Sequence, residues 1–239
     1  MKLKKILCLI LSLTLCLGLL TIPSFAQNRV GFSNFKKVNA FRNSTFNDVE
    51  KSDWFYYDVK AIYELGIMTG KSENSFSPND SMTIAEAITL VARLHAIFYG
   101  IEDPFDQTWP WYSTYIDYAI RNHYKILNHL NQIDEIDYSL KNYIDYNAKI
   151  SRACFTVLIY SAFSGEKFVE INHIPDDSIL DVRSSDYYYT AVYTLYKVGI
   201  LNGAGEGYFS PQKDIKRSEV ATILNRIIYP INRIDKTNR

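Results

Sequence analysis

The sequence predicts a mainly α protein built from repeated helix-loop-helix units. The strongest observation is an internal repeat at an offset of 133 residues, in which 46–94 aligns without a gap on 179–227 and about one third of the positions are identical. Both copies place apolar residues at helical spacing on either side of a turn-rich segment. Because turn residues, helix ends and apolar positions coincide, both copies are expected to form the same small supersecondary unit.

The first helix of each copy is expected to end at a glycine. In the first copy Ser52 or Asp53 is the candidate N-cap, and apolar residues follow at helical spacing. Gly66 then stands where a left-handed residue would end the helix, and Gly199 has the same place in the last copy. His123 occupies this position in the middle copy, which is expected to cost stability if the geometry is kept.

A second helix is expected after the turn-rich connection, which ends in a Phe-Ser-Pro sequence in both strong copies. Thr83 is the expected N-cap of this helix in the first copy, and Glu86 completes a capping box three residues later. Glu219 takes the same position in the last copy, whereas Cys154 replaces the glutamate in the middle copy. The repeated unit is therefore predicted to be helix, ordered loop, helix.

A third, weaker copy lies between the two strong ones. It begins at 111–120, which aligns on 54–63 at an offset of 57, and it resumes at 150–155 opposite 215–220. Its middle is about 11 residues longer than in the outer copies, with an insertion near 128–147. The expected organisation is a signal peptide, a leader segment, three repeats and a polar tail, at 1–26, 27–45, 46–99, 100–165, 176–229 and 230–239.

The first 26 residues have the pattern of an export signal. Three lysines precede an apolar run of about 15 residues, and Pro-Ser-Phe-Ala closes it in small-x-small form. A membrane span needs about 20 apolar residues, and no other stretch is apolar enough. Neither Cys8 nor Cys16 follows the small residue that a lipoprotein signal has. We therefore expect a secreted mature chain that begins at Gln27 and has no membrane span.

The composition argues against several classes of protein. Removing the signal leaves 23 basic and 26 acidic residues, a net charge of about −3. Nucleic acid is not an expected partner, because phosphate binding needs a clustered positive surface. Cys154 would be the only cysteine of the mature chain, so no internal disulfide is expected. Metal-ligand spacing, phosphate-binding glycine loops and nucleophile elbows are missing from the sequence, which predicts no metal site, no cofactor and no enzyme.

The ordered set of motifs resembles the S-layer homology domain. The unit of that family reads Phe-x-Asp-Val, Trp-Ala, Gly-Ile-x-x-Gly, Phe-x-Pro and Thr-Arg-Ala-Glu. The matching residues of the first copy are Phe46-Asn47-Asp48-Val49, Trp54, Gly66-Ile67, Gly70, Phe76-Ser77-Pro78 and Thr83-Ile84-Ala85-Glu86. The likeness covers nearly all of residues 46–229. It implies three tandem repeats in a pseudo-threefold, three-lobed module around a central helical bundle.

The resemblance also implies binding at the bacterial cell surface, to secondary cell-wall polysaccharide on peptidoglycan, commonly through pyruvylated sugars. An arginine at the start of the second helix would pair with the carboxylate, and an aromatic ring would cover the sugar face. Carried over by position, this arginine is Arg152 in the middle repeat and Arg217 in the last. Ile84 fills the position in the first repeat, so a groove that relied on it is expected to be weak.

Each candidate residue also has a purely structural interpretation. Arg152 and Arg217 could be solvated first-turn residues, and Trp54 and Trp111 could anchor the first helix rather than face a sugar. Cys154 is expected to be a partly buried thiol. Structural roles as caps, turn braces or helix ends are expected for Asp48, Asp181, Gly66, Gly199, Thr83, Glu86 and Glu219.

Three functions compete on these patterns. The leading hypothesis is a wall-anchoring module that stays on the cell surface. The second is a surface adaptor that binds another protein through an aromatic patch in the middle insertion. The residues of that patch would be Tyr138, Leu140, Tyr143, Ile144 and Tyr146. The third is a wall-glycan hydrolase, which would need two carboxylates facing across a cleft, whereas caps and surface charge account better for the acids.

Overall fold

A computed structural model describes residues 30–122, 144–163, 168–203, 205 and 207–236 of the chain. These ranges contain helices and no strand, so the mainly α fold predicted from the sequence is confirmed. The α-helices are α1 (Tyr56–Glu64), α2 (Ile84–Phe98), α3 (Ser113–Arg121), α4 (Arg152–Ala162), α5 (Tyr189–Lys197) and α6 (Arg217–Ile228). The predicted signal, His123 and most of the middle insertion lie outside the described residues. No described helix combines the length and the apolar character that a bilayer span requires.

The second helices contribute more residues to the apolar core than the first helices do. Leu94 of α2, Leu158 of α4 and Leu224 of α6 are fully buried, and each such burial contributes roughly 1.5–3 kcal/mol. The first helix of each copy packs on the second helix of another copy. These pairs are α1 with α6, α3 with α2, and α5 with α4. The copies therefore share one core and do not form separate ones.

A cycle of backbone hydrogen bonds joins the segments that precede α2, α4 and α6. Met82 N donates to Ile215 O at 3.2 Å, Ile215 N donates to Ile150 O at 3.1 Å, and Ile150 N donates to Met82 O at 3.0 Å. The N-terminal ends of the three second helices therefore meet at one place. A module of three units would require such a contact. The pseudo-threefold symmetry of the whole chain stays a prediction.

Gly66 and Gly199 end α1 and α5 in the predicted way. Their φ angles are +68° and +74°, in the left-handed region that favours glycine. Gly66 N donates to Tyr63 O at 2.9 Å, and Ile67 N donates to Ile62 O at 3.1 Å. This pair of hydrogen bonds is a Schellman helix end, and the equivalent pair closes α5.

The start of α1 differs from the prediction. The helix begins at Tyr56 after Phe55, and no side chain caps it. Neither Ser52 nor Asp53 is the N-cap, because Asp53 Oδ2 instead accepts a hydrogen bond from Glu50 N at 2.7 Å. The same turn precedes α5 in the last copy. The aspartate therefore closes a turn before the helix, and the helix starts about one turn later than expected.

Segments outside the predicted repeat boundaries also pack on the helix ends. Asn39 Nδ2 donates to Tyr63 O at 2.9 Å, and Asn172 Nδ2 donates to Tyr196 O at 3.2 Å. Part of the predicted polar tail is ordered as well, because Ile234 N donates to the carbonyl oxygen of the glycine that ends α5, at 2.9 Å. Two short 3-10 helices, Phe32–Asn34 and Pro230–Asn232, belong to these flanking segments. The contacts of the first and last copies thus begin upstream of their first sequence motifs.

Candidate ligand grooves

An aspartate near the start of each strong copy holds the Phe-Ser-Pro loop. Asp48 accepts hydrogen bonds from Phe76 N at 2.9 Å, from Ser77 N at 2.8 Å and from Ser75 Oγ at 2.7 Å. Burial disfavours the ionised carboxylate, but these hydrogen bonds outweigh it and keep the pKa of Asp48 below its ordinary value. Asp181 accepts the two backbone bonds in the last copy, at 2.8 and 2.7 Å. The aspartates therefore fix the loop, not the turn before the first helix.

Arg217 is buried, so its interpretation as a solvated first-turn residue is wrong. Its side chain crosses from α6 of the last copy to the loop of the first copy. Nε donates to Phe76 O at 2.8 Å, and Nη2 donates to Thr69 O at 2.6 Å. The guanidinium carbon lies 4.7 Å from the centroid of the Phe76 ring. Burial lowers the pKa of Arg217, although nearby carboxylates oppose this effect.

Arg152 is buried in the same way and crosses from α4 of the middle copy to the loop of the last copy. Nε donates to Phe209 O at 2.9 Å, and the guanidinium carbon lies 5.0 Å from the Phe209 ring centroid. Unlike Arg217, this arginine also forms an ion pair, with Nη1 2.6 Å from Glu219 Oε1. No carboxylate among the described residues lies within ion-pair distance of Arg217.

The groove without an arginine therefore belongs to the middle copy, which corrects the prediction made for the first copy. Ile84 N donates to Ala148 O at 2.9 Å, so the residue faces the middle copy. The sequence reasoning assumed that the residue at the start of a second helix serves its own copy. The structure instead places each of these side chains at the loop of a neighbouring copy, as for Arg152 and Arg217.

A groove of about 320 Å³, the first groove, lies on the first copy and takes residues from all three copies. The first copy supplies the loop at 67–71 together with Glu86 and Arg93 of α2. The last copy supplies Arg217, and the middle copy supplies Trp111. A cation, an aromatic ring and backbone carbonyls therefore converge on one depression.

An equivalent depression of about 200 Å³, the second groove, lies on the last copy. It has Arg152 from the middle copy and Trp54 from the first copy. Its other lining residues all stand 133 positions after counterparts in the first groove, and they are Leu201, Asn202, Gly203, Glu219, Thr222, Ile223 and Arg226. The internal repeat of the sequence therefore produces two grooves with equivalent lining residues.

The two tryptophans do not anchor their helices. The exposed fraction is 65% for Trp54 and 48% for Trp111, and each ring stands beside a groove. The corresponding residue of the last copy is Tyr187, whose hydroxyl lies 3.1 Å from Cys154 Sγ. Burial and this contact raise the pKa of Tyr187. The middle copy thus has a half-buried cysteine, as predicted, and Ile84 and Tyr187 stand where the other grooves have arginine and tryptophan.

The glutamates at the start of the second helices are caps. Thr83 N donates to Glu86 Oε2 at 2.8 Å and Glu86 N donates to Thr83 Oγ1 at 3.2 Å, which is the predicted capping box. In the last copy only half of the box forms, since Lys216 N donates to Glu219 Oε2 at 2.8 Å and the lysine side chain cannot return the bond. Both glutamates therefore have a structural role beside the grooves.

Two further arginines line the grooves, and the sequence reasoning did not assign them to a site. Arg93 Nη2 donates to Gly66 O at 3.3 Å, and Arg226 Nη1 donates to Ile200 O at 3.0 Å. Burial lowers the pKa of Arg226. The signal was present in the alignment, because a charged residue repeated at the 133-residue offset is a stronger sign of function than a repeated apolar one.

The proposed aromatic patch of the middle insertion is not exposed where it is described. Tyr146 is buried, and Ile144 is partly buried against the core. Burial raises the pKa of Tyr146 to about 12. The other residues of that patch, Tyr138, Leu140 and Tyr143, lie outside the described residues.

Comparison with known proteins matches the same two copies. The sequence model of the S-layer homology domain matches residues 45–88 and 178–221. An endoglucanase of Bacillus sp. (strain KSM-635) is 26% identical across 97% of this chain and 23% of the endoglucanase. The surface-layer 125 kDa protein of Lysinibacillus sphaericus is 27% identical across 56% of this chain and 11% of its own length. The S-layer protein sap of Bacillus anthracis is 23% identical across 77% of this chain and 21% of its own length.

The first and last copies therefore match one class of module. Residues 45–88 and 178–221 match the S-layer homology domain, which is a cell-wall-binding module and not a catalytic one. This match and the similarity to S-layer proteins point to the cell wall and cell surface as the location. The chain spans about a quarter or less of the curated relatives named above, and the two matches to the family model lie in the first and last copies.

Proposed function

We propose that this chain anchors non-covalently to secondary cell-wall polysaccharide on peptidoglycan, and that the first and second grooves are its binding sites. The observation that carries the proposal is the recurrence of one arrangement in two places. Arg217 with Trp111 and Arg152 with Trp54 each stand beside a groove built from all three copies. A structural arginine would need no exposed indole beside it, whereas a sugar-binding site needs both.

The chemistry of a pyruvylated sugar fits this arrangement. Arg217 uses Nε and Nη2 to hold two carbonyls, while its Nη1 group donates to none of the described residues. A carboxylate that reached this nitrogen would gain a charge-assisted hydrogen bond of about 1.5–3 kcal/mol. The exposed face of Trp111 can cover the apolar C–H face of the ring. The first groove thus offers a cation to the carboxylate and an aromatic face to the sugar ring.

We also propose that residues 100–165 are a third, degenerate repeat of the same family. The presence of a first helix, α3, and a second helix, α4, in this segment and the backbone cycle through Ile150 support this assignment. Ser151 Oγ accepts from Cys154 N at 3.2 Å, so the N-cap of α4 follows the pattern of α2 without the returning glutamate. Ile84 and Cys154 would leave this repeat without an anion-binding groove.

Co-sedimentation with purified cell walls tests the proposal. The parent chain should sediment with intact walls and remain in solution when the secondary polymer has been chemically removed. The double variant Arg152→Gln/Arg217→Gln should lose at least tenfold in affinity, which corresponds to about 1.4 kcal/mol. Ile84 stands where the other two grooves have an arginine, so Ile84→Val serves as the matched control.

Three outcomes would contradict the proposal. Undiminished sedimentation with polymer-depleted walls would favour the adaptor hypothesis, in which a wall protein is the partner. Parental binding by a double variant whose circular dichroism matches the parent would mean that the arginines are structural only. Release of soluble glycan from walls would favour the hydrolase hypothesis.

A further inference from the structure

The two arginine grooves differ in how their central cation is neutralised. Arg152 in the second groove is held by Glu219 at 2.6 Å, in a contact between two side chains that are largely withdrawn from solvent. Arg217 in the first groove donates only to carbonyl oxygens, which carry no net charge. An arriving anion must therefore displace a directly bound carboxylate in the second groove, whereas in the first groove Glu86, Asp80 and Asp48 act on Arg217 only from beyond ion-pair distance.

The other charges around each groove increase the difference. The first groove is lined by Lys71, Arg93 and Arg217 against a single acid, Glu86, a net charge of about +2. The second groove has two arginines against Glu219, and the residue 133 positions after Lys71 is an alanine. Asp80 lies 2.8 Å from Lys71, and its carboxylate lowers the charge around the first groove to about +1.

A second carboxylate also lies beside the second groove. Asp58 of α1 accepts hydrogen bonds from Thr222 Oγ1 and Asn225 Nδ2 of α6, each at 2.6 Å. It also counteracts the effect of burial on the pKa of Arg226. In the middle copy, the residue equivalent to Asp58 is Tyr115 of α3, the helix that follows Trp111 of the first groove. Tyr115 is uncharged at neutral pH. The second groove is therefore close to electrically neutral.

From these contacts we infer that the two grooves prefer different sugars, a conclusion that rests on the proposed wall-binding function. The first groove takes the anionic residue of the polymer through Arg217. The second groove takes a neutral sugar over the face of Trp54, because Glu219 already occupies Arg152. Glu219 is then the residue that determines this specificity, in addition to its role as a cap.

Calorimetric titration with two small probes tests the inference. The probes are a pyruvylated methyl hexoside and the same hexoside without the pyruvyl group. The parent should bind one equivalent of the pyruvylated probe with an affinity that falls as salt rises. Glu219→Gln should create a second site for the pyruvylated probe, about tenfold tighter than in the parent. Glu102→Gln, a change at an exposed residue that lines neither groove, is the matched control.

The arginine variants provide an independent test of the inference if Glu219→Gln fails to fold. Arg217→Gln should reduce the affinity for the pyruvylated probe at least tenfold, while Arg152→Gln should reduce it no more than about twofold. Two equivalent pyruvylated sites in the parent, or equal losses in the two arginine variants, would overturn the inference. Failure of the parent to bind either probe or intact walls would instead reject the wall-binding function itself.

Discussion

The first and last copies have the same internal skeleton but different surroundings. Both have an aspartate that braces the loop and a glycine that ends the first helix with the same pair of hydrogen bonds. They differ in the contacts at the edges of the copies, where Arg217 of the first groove has no carboxylate within ion-pair distance among the described residues and the second groove contains the Arg152–Glu219 ion pair. The local shape of a copy is therefore encoded within that copy, whereas the chemistry of its groove depends on side chains from its neighbours.

The largest expected difference between the copies is acid sensitivity. His95 of α2 is buried, its Nδ1 lies 2.8 Å from the hydroxyl oxygen of Tyr118, and burial lowers its pKa to about 4. The equivalent residue of the last copy is Ile228, which cannot titrate. Because the unfolded histidine has a pKa of about 6.5, the unfolded state binds more protons between these values, and stability falls as pH falls.

Because of this difference in proton binding, the free energy of unfolding should fall by about 3 kcal/mol between pH 7 and pH 4 on account of His95. His95→Ile, which copies the last copy, should remove that part of the pH dependence even if it lowers stability at pH 7. Urea unfolding of parent and variant at both pH values measures the difference. Equal pH dependence in the two proteins would show that folding leaves the pKa of His95 unchanged.

The loop braces are expected to have the next largest effect. Asp48→Asn should destabilise the chain by about 2–3 kcal/mol, because it replaces a charged acceptor of three hydrogen bonds by an amide. Asp181→Asn should cost less, since two hydrogen bonds are involved. Denaturant unfolding at neutral pH compares them. A larger loss in the Asp181 variant would mean that the hydroxyl bond from Ser75 contributes nothing.

The fold could be predicted from the sequence to the extent that single copies determine it. Gly66 and the Thr83–Glu86 pair act within one helix end, so their spacing alone was sufficient to predict the Schellman end and the capping box. The start of α1 was not predictable from propensity. Asp53 suits either an N-cap or a turn, and its hydrogen bond with Glu50 N decided for the turn.

The grooves were only half predictable. The sequence indicated Arg152 and Arg217 as functional residues, but it could not show that their side chains cross to other copies. That information lies in contacts between residues far apart in the chain, such as Arg217 with Phe76. For the same reason the prediction of a weak groove was assigned to the first copy, although Ile84 faces the middle one.

The glycines that end the first helices should differ in their tolerance of a side chain. A Cβ added at Gly199 would lie 2.5 Å from Ile234 O, a backbone atom, whereas one added at Gly66 would lie 2.6 Å from a methyl group of Val38. Gly199→Ala should therefore cost about 2 kcal/mol and Gly66→Ala about 1 kcal/mol, since the left-handed conformation alone costs roughly 1 kcal/mol. Thermal unfolding checks this order, and deleting residues 234–239 from both variants should reduce the difference.

The smallest expected effect concerns the start of the second helices, where the first copy has a complete capping box and the last copy has half of one. Thr83→Ala removes the side-chain oxygen that accepts from Glu86 N, and it should cost about 1 kcal/mol. Lys216→Thr should supply the missing acceptor and stabilise the chain by about 0.5–1 kcal/mol. The exposed hydrogen bond from Lys216 Nζ to Asn79 would be lost, and this loss reduces the gain. Urea unfolding of both variants beside the parent measures the two changes. The stabilising substitution is the stricter test, because few changes raise stability by accident. A neutral or destabilising result would mean that Glu219, which is drawn toward Arg152, cannot complete a box with any residue at that position.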